Sequence, residues 1–206
     1  MVQKRVTMTP PHEALPEGES NRYLAKLKTS LCKRWSSTRM ETLYEIFDLA
    51  AFLWALERNK EALAIAASVA EAVPEPPALP KGGVNYNVWC PATFSHALII
   101  HLAPKAWHDR VDASRTALLG DCGIARDNPG YLAEQIANAQ SEADGLAEPQ
   151  SMKWECLTLA RHLGWLVLCS ELAKARDPLF KPHSVDAAAL IPRILARLQA
   201  RLQAAR

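Results

Sequence analysis

LYEIFDLAAFLWALERNKEALAIAASVAEAVP, residues 43–74, is the stretch that decides the fold. Leu43, Phe47, Ala50 and Trp54 recur at the spacing of one helical face, which indicates an amphipathic helix. After a short break at residues 58–59, an alanine-rich segment predicts a second helix that stops at the proline closing the stretch. Two apolar helices joined by so short a connection predict a tight antiparallel hairpin.

Helical signals continue on both sides of this hairpin. Ser20 is a suitable N-cap for a preceding helix, and Gly145 is suited to end a later one. Residues 151–176 are apolar on most sides, which predicts the central buried helix. Only residues 84–89, VNYNVW, alternate like a short strand. Further helices are expected over residues 91–102, 105–120, 128–143 and 185–204, with a kink or restart of the last at Pro192.

The sequence therefore predicts an all-α fold, an irregular bundle of six to eight helices built from antiparallel hairpins. Residues 74–83 hold four prolines and two glycines, which predicts a central loop. Residues 1–19 carry three prolines and few large apolar groups, so we expect a flexible arm there. Residues 20–206 are long enough, in a chain that is 49% apolar, to form one helical domain.

Composition limits the function classes. A formal net charge of +2 in 206 residues gives no reason to expect general binding to nucleic acid or to a membrane surface. The five cysteines are odd in number and include no CxxC pair, which indicates free thiols in a reducing compartment. No signal-peptide pattern and no apolar run of about 18 residues is visible. We therefore expect a cytoplasmic protein.

The densest group of chemically capable residues is GGVNYNVWCPATFSHALIIH, residues 82–101. If Pro91 opens a helix, Cys90 lies at its N-cap, where a thiolate would be favoured. His96 then lies six residues along, about 120° around the axis and about 9 Å away, too far for a Cys–His pair. His96 and His101 are five apart rather than three or four, so they do not form a helical metal chelate. No metal and no cofactor is expected.

Two polar stripes are further candidates. Glu41, Glu45 and Asp48 lie at i, i+4 and i+7 of one helical face, either in solvated ion pairs with the basic preceding helix or as a recognition surface. Glu155 and His162 lie on one stripe of the apolar central helix, either as the face that reaches water or as a proton-transfer pair in a pocket. The candidates for partner binding are Glu41, Glu45, Asp48, Asn85, Tyr86, Asn87 and Trp89; those for a small-molecule pocket are Cys90, His96, Glu155 and His162.

Two other features have simpler interpretations. Gly164, in the middle of the central helix, indicates a close approach of another helix. Arg193, Arg197 and Arg201 form a ridge on the last helix, which we interpret as a solvated face because no aromatic residues are interleaved with them. Motifs for phosphate loops, dinucleotides, zinc proteases and nucleophile elbows are missing from the sequence.

The hairpin resembles one tetratricopeptide repeat, with Ala50, Ala62 and Pro74 at the small-residue and terminal positions, although the sequence holds no second copy. Together with NVWCPATFSHALIIHL, residues 87–102, the hairpin stretch is also similar to small helical immunity proteins of interbacterial toxin systems. That resemblance implies a non-catalytic protein that neutralises a toxin by direct binding. The near-neutral charge departs from the acidic balance of many nuclease-blocking members. The alternatives are a helical scaffold or regulator that binds a peptide, and a small-molecule binder or enzyme that uses residues 82–101.

Overall fold

The computed structural model describes residues 21–34, 43–73, 86–120, 129–148, 150–174 and 181–204. Within these ranges the regular structure is entirely helical, which confirms the all-α prediction, and short 3₁₀ turns precede two of the helices. The predicted arm (1–19) and central loop (74–83) lie outside the described residues. The eight helices are α1 Arg22–Arg34, α2 Leu43–Ala55, α3 Asn59–Ala72, α4 Tyr86–Leu102, α5 His108–Gly120, α6 Pro129–Ala143, α7 Met152–Lys174 and α8 Ser184–Ala204.

The predicted hairpin is formed by α2 and α3. Eleven of the 13 residues of α2 are buried, and the inner face of α3 supplies alanines that let the two backbones approach. The turn between them is a Schellman motif: the Glu57 amide donates to the Trp54 carbonyl and the Arg58 amide to the Leu53 carbonyl, both at 2.9 Å. Glu57 has φ of 62°, a conformation that usually takes glycine.

Helix α7 is the central helix, as predicted. Fifteen of its 23 residues are buried, and it packs against α2, α4, α6 and α8. Gly164 faces the ring of Phe94 on α4, and a Cβ at this position would lie under 3.0 Å from three ring carbons. The close approach that the glycine predicted is therefore confirmed. Helix α7 is also long and apolar enough to cross a membrane by length and composition, yet 78% of the window that meets this criterion is buried inside the molecule.

Helix boundaries were predicted well at some ends and wrongly at others. Helix α6 ends before Gly145, whose φ is 72°, as expected. The cap of α1 is Asn21 rather than Ser20, because the Asn21 side-chain oxygen accepts from the amides of Tyr23 and Leu24 at 3.0 and 3.1 Å. The Asn21 amide nitrogen also donates to the Leu202 carbonyl at 3.0 Å, which ties α1 to the end of α8.

The prediction that Pro91 opens a helix was wrong, and of the two alternatives for Pro192, a kink or a restart, the restart does not occur. Helix α4 begins at Tyr86, so Pro91 lies inside it and the strand-like residues 84–89 contribute helix from 86 onward. Helix α8 is a single helix through Pro192, with no restart. In both cases the flanking helix is anchored by buried apolar contacts, which offset the one backbone hydrogen bond that each proline removes.

Candidate functional site

The carboxylate stripe does not run along the surface as predicted. Asp48 is 1% exposed, whereas Glu45 is partly exposed and Glu41 lies outside the described residues. Helix α2 is covered on nearly all sides, so a helical period alone did not reveal which carboxylate faces the interior. Among the described residues, only Glu45 keeps the surface position needed for the predicted contact with a partner.

Asp48 is a buried carboxyl group whose two oxygens accept no hydrogen bond from the part of the chain that the structure describes. Burial raises its pKa from 3.8 to about 8, while nearby Arg161 lowers it and Glu45 raises it. The guanidinium of Arg161 also lies over the ring of Tyr44, 5.0 Å from its centroid. At neutral pH the carboxyl is therefore mainly protonated, because burial disfavours the charged carboxylate more than the attraction of Arg161 favours it.

Cys90 is not an activated thiol. It lies in the second turn of α4 rather than at an N-cap, it is 1% exposed, and its thiol forms a hydrogen bond with the Tyr44 hydroxyl. Burial raises the pKa of Cys90 to about 11, although Tyr44 and Arg161 lower it. The predicted N-cap position was wrong, and a thiol with this pKa stays protonated and is a poor nucleophile at neutral pH.

His96 does lie at a cavity, one of about 220 Å³ between α3, α4 and α5. Its Nδ1 lies 3.1 Å from the Ser114 hydroxyl and its Nε2 lies 3.3 Å from the Val73 carbonyl oxygen. Burial lowers the pKa of His96, although the Val73 carbonyl raises it. The other three pocket candidates, Cys90, Glu155 and His162, do not line this cavity, so the structure does not bring the four together.

Glu155 was interpreted as part of a water-facing stripe, and that interpretation was wrong. The side chain is 6% exposed, and its Oε1 accepts from Arg197 at 2.9 and 3.1 Å while its Oε2 lies 2.9 Å from Arg201 Nε. Arg197 also donates to the backbone carbonyl of Glu142, and Arg193 pairs with Asp144. The predicted solvated ridge on α8 is therefore an ion-pair junction that joins α6, α7 and α8, here called the arginine junction.

His162 does not form the proton-transfer pair considered for it. It is 7% exposed, and its Nδ1 has no hydrogen-bond partner in the described part of the chain. Burial lowers its pKa from 6.5 to about 4, so the imidazole is neutral at physiological pH. Because two arginines hold Glu155, Glu155 and His162 contribute to packing separately and do not form an acid–base couple.

One polar cluster was missed by sequence reasoning. Glu171 Oε1 lies 2.7 Å from His101 Nδ1 and 2.6 Å from Lys174 Nζ, and the His101 ring packs edge-on against Trp54 at 5.3 Å. Burial alone would raise the pKa of Glu171, but hydrogen bonds from His101 and Lys174 lower it. The spacing of Glu171 and Lys174 was a detectable i,i+3 signal, whereas contact with a histidine 70 residues away was not.

A group of exposed apolar side chains, close together in the sequence, was also missed. Among the described residues, three of the four exposed large apolar side chains lie where α6 passes into α7, and the fourth is Val185. Leu146 is 77% exposed and Trp154 is 57% exposed, with Lys153 Nζ 5.8 Å from the tryptophan ring centroid. A lone tryptophan at a helix start gave a weak signal, because only the fold shows that its side chain is exposed. Leu146, Met152 and Trp154 are called the Trp154 patch below.

The remaining candidates for partner binding belong to the segment before Cys90. Tyr86, Asn87 and Trp89 lie on the first turn of α4, but their side chains are outside the described structure, as is all of Asn85. In the part of the chain that the structure describes, no three histidine, cysteine, aspartate or glutamate side chains are grouped as metal ligands would be. Comparisons of the chain with known protein families, with curated proteins and with solved structures found no match.

Proposed function

We propose that this chain is a non-catalytic protein that acts in the cytoplasm by binding a protein partner, and that the Trp154 patch is its contact surface. The observation that carries the proposal is the exposure of Trp154, with Leu146 and Met152 also exposed within the same nine residues of the chain. Large exposed apolar side chains concentrated in one part of a chain are typical of interaction sites, and tryptophan is the residue most enriched among those that dominate binding energy.

The surroundings of the Trp154 patch favour a rigid contact surface. Glu155, the residue after Trp154, is held by Arg197 and Arg201, and Arg193 pairs with Asp144 just before Leu146. The arginine junction therefore holds both ends of the α6–α7 connection in place. A surface already ordered before binding loses less conformational entropy on association, which strengthens affinity.

The state of the reactive groups supports binding rather than catalysis. The three cysteines whose side chains the structure describes, Cys90, Cys156 and Cys169, have pKa values raised to about 11 or 12, chiefly by burial, so none of the three is a thiolate at neutral pH. His162 is neutral and buried, and Glu155 is neutralised by two arginines. These groups contribute to the stability of the bundle, which leaves the surface to carry the function.

Within this class, our narrower proposal is an immunity protein that neutralises a cognate toxin by covering a surface that the toxin needs. It rests on the resemblance of residues 43–74 and 87–102 to such proteins. A toxin-bearing polypeptide encoded directly upstream would be the partner. A helical scaffold that binds a peptide uses the same surface and differs only in the identity of its partner.

The test is co-expression with the polypeptide encoded directly upstream, followed by size-exclusion chromatography and calorimetric titration. We expect a complex at micromolar concentration, weakened about 30-fold by Trp154→Ala, as for a residue central to an interface. Val185→Ala is the matched control, because Val185 is also exposed but lies about 12 Å along α8 from Arg193, which pairs with Asp144 next to the Trp154 patch.

The outcomes separate the two levels of the proposal. If no complex forms at micromolar concentration, the immunity assignment is wrong. If a complex forms and Trp154→Ala and Leu146→Ala both leave the Kd within twofold of the original, the partner is right and the assigned surface is wrong. Circular dichroism of each variant shows whether the fold is retained.

A further inference from the structure

The cavity at His96 has apolar walls and one polar corner. Its walls are formed by small and aliphatic side chains, with Ala67 and Ala70 on α3 and Ile99 on α4. The polar corner is the pair His96 and Ser114, each less than 5% exposed. A cavity of this composition gives an apolar ligand most of its binding energy and one defined site for a hydrogen bond.

The hydrogen bonds of His96 determine which kind of group the corner accepts. Nε2 faces the Val73 carbonyl oxygen, which can only accept, so the ring carries its proton on Nε2. Nδ1 is then an acceptor and receives the proton of the Ser114 hydroxyl. The opposite tautomer would place two acceptors 3.3 Å apart without a proton between them. Neutrality of the ring agrees with the lowered pKa of buried His96.

This arrangement leaves Ser114 Oγ, on a residue that lines the cavity, able to accept a hydrogen bond. Its proton is directed to His96, and within the described structure its oxygen receives no hydrogen bond. A hydroxyl oxygen has two lone pairs, so it can accept from a ligand. A ligand with a hydrogen-bond donor can bond to the serine oxygen, whereas a ligand with only an acceptor would place two acceptors against each other.

Size and charge define the rest of the ligand. An apolar cavity of about 150 Å³ holds one benzene molecule, so a cavity of about 220 Å³ holds a single ring with a small substituent. The cavity is also lined by Glu71 and Arg110, which form an ion pair at 3.4 Å and are both more than half exposed. Because these two charges cancel, the edge of the cavity gives no preference for a charged ligand.

We propose that the cavity between α3, α4 and α5 is a binding site for a small neutral monocyclic compound with one hydroxyl donor, of the phenol class, which donates to Ser114 Oγ. This inference is independent of the protein-binding proposal, since the cavity and the Trp154 patch share no residue. In this site the imidazole of His96 has a positioning role, because it accepts a hydrogen bond from Ser114 and so orients the serine oxygen.

The test is calorimetric titration of the full chain with phenol and with toluene, which have the same shape but differ in the donor. We expect sub-millimolar binding of phenol. Ser114→Ala should weaken the binding of phenol about 2- to 10-fold, the value of one neutral hydrogen bond, and leave the Kd of toluene within twofold. Thr116→Ala removes an exposed hydroxyl on the same helix and is the matched control, which should change the Kd of neither ligand.

A second variant separates binding in the cavity from binding elsewhere. Ala113 lines the cavity from a largely exposed position, so Ala113→Leu fills space without disturbing the core and should abolish binding of both ligands. Shifts of the Ile99 methyl resonances on addition of phenol should locate the bound ligand. The proposal is overturned if the Kd for phenol is above about 1 mM. It is equally overturned if phenol binds unchanged to either Ser114→Ala or Ala113→Leu.

Discussion

At the scale of single residues, the interior is shaped by a few positions where one atom decides the packing. Gly164 is the clearest, because its missing Cβ is what lets the Phe94 ring lie on the backbone of α7. Phe94 is itself enclosed, with ring centroids 5.2 Å from Phe47 and 5.0 Å from Trp165. A fully buried ring with neighbours on two sides cannot move away from an added methyl group without disturbing them.

Gly164→Ala is therefore expected to destabilise the protein. Alanine favours a helix by about 1 kcal/mol over glycine, but overpacking costs about 1–3 kcal/mol and outweighs that gain. Urea denaturation followed by circular dichroism measures the change. Gly130→Ala, at an exposed position of α6, is the control and should gain up to about 1 kcal/mol. If Gly164→Ala does destabilise the protein, the additional substitution Phe94→Leu should restore part of the lost stability. A Gly164→Ala protein as stable as the original would contradict the prediction and show that Phe94 can rearrange.

At the scale of elements, two helices end in the same motif with different residues. Helix α2 ends with Glu57 at the left-handed position, and α6 ends with Gly145 there. At the second end the Gly145 amide donates to the Glu142 carbonyl and the Leu146 amide to the Ser141 carbonyl, which repeats the pattern at the first. A residue with a Cβ is strained in this conformation by about 1–2 kcal/mol, whereas glycine is not. The hairpin turn is therefore held by the packing of α2 and α3 and not by local preference.

Substitutions at positions 57 and 145 are expected to change the free energy of unfolding in opposite directions. We expect Glu57→Gly to raise the free energy of unfolding by about 1 kcal/mol and Gly145→Ala to lower it by about the same amount, since each adds or removes the strain of one side chain. The midpoints of urea denaturation report both changes, and each variant is the control for the other. If both variants shift the free energy of unfolding in the same direction, then at one of the two positions the effect is not set by the strain of a side chain in the left-handed conformation.

At the scale of the whole molecule, buried titratable groups on different helices set the pH dependence of folding. The pKa of Asp48 is raised to about 8 in the folded protein, so its stabilising effect is complete below its ordinary value of 3.8 and is lost as the pH rises to 8. The pKa of His162 is lowered from 6.5 to about 4, so its effect has the opposite sign and is lost as the pH falls from 6.5 to 4. His96, whose pKa is also lowered, acts in the same direction as His162.

Between pH 4 and 6.5 these slopes oppose each other, and between pH 6.5 and 8 the slope of Asp48 dominates. We expect greatest stability near pH 6.5 and a decrease of about 2 kcal/mol between pH 6.5 and 8, since one pKa unit corresponds to about 1.4 kcal/mol. Urea denaturation from pH 4 to 9 measures the profile. Asp48→Asn should remove the decrease, and Glu45→Gln on the same helix should keep most of it, because burial raises the pKa of Asp48 more than Glu45 does. A decrease that persists in Asp48→Asn would assign it to another group.

The sequence alone predicted the all-α class, the hairpin over residues 43–74, the central helix and the end of α6 at Gly145. These features depend on periodicity and on backbone preferences, which are local properties. It did not predict that Asp48 lies in the core, that Glu155 binds two arginines of α8, or that His96 orients Ser114. Such contacts join residues far apart in the chain, and only the tertiary packing of the helices decides which polar side chains reach water. The exposure of Trp154 depends in the same way on what the rest of the fold leaves uncovered.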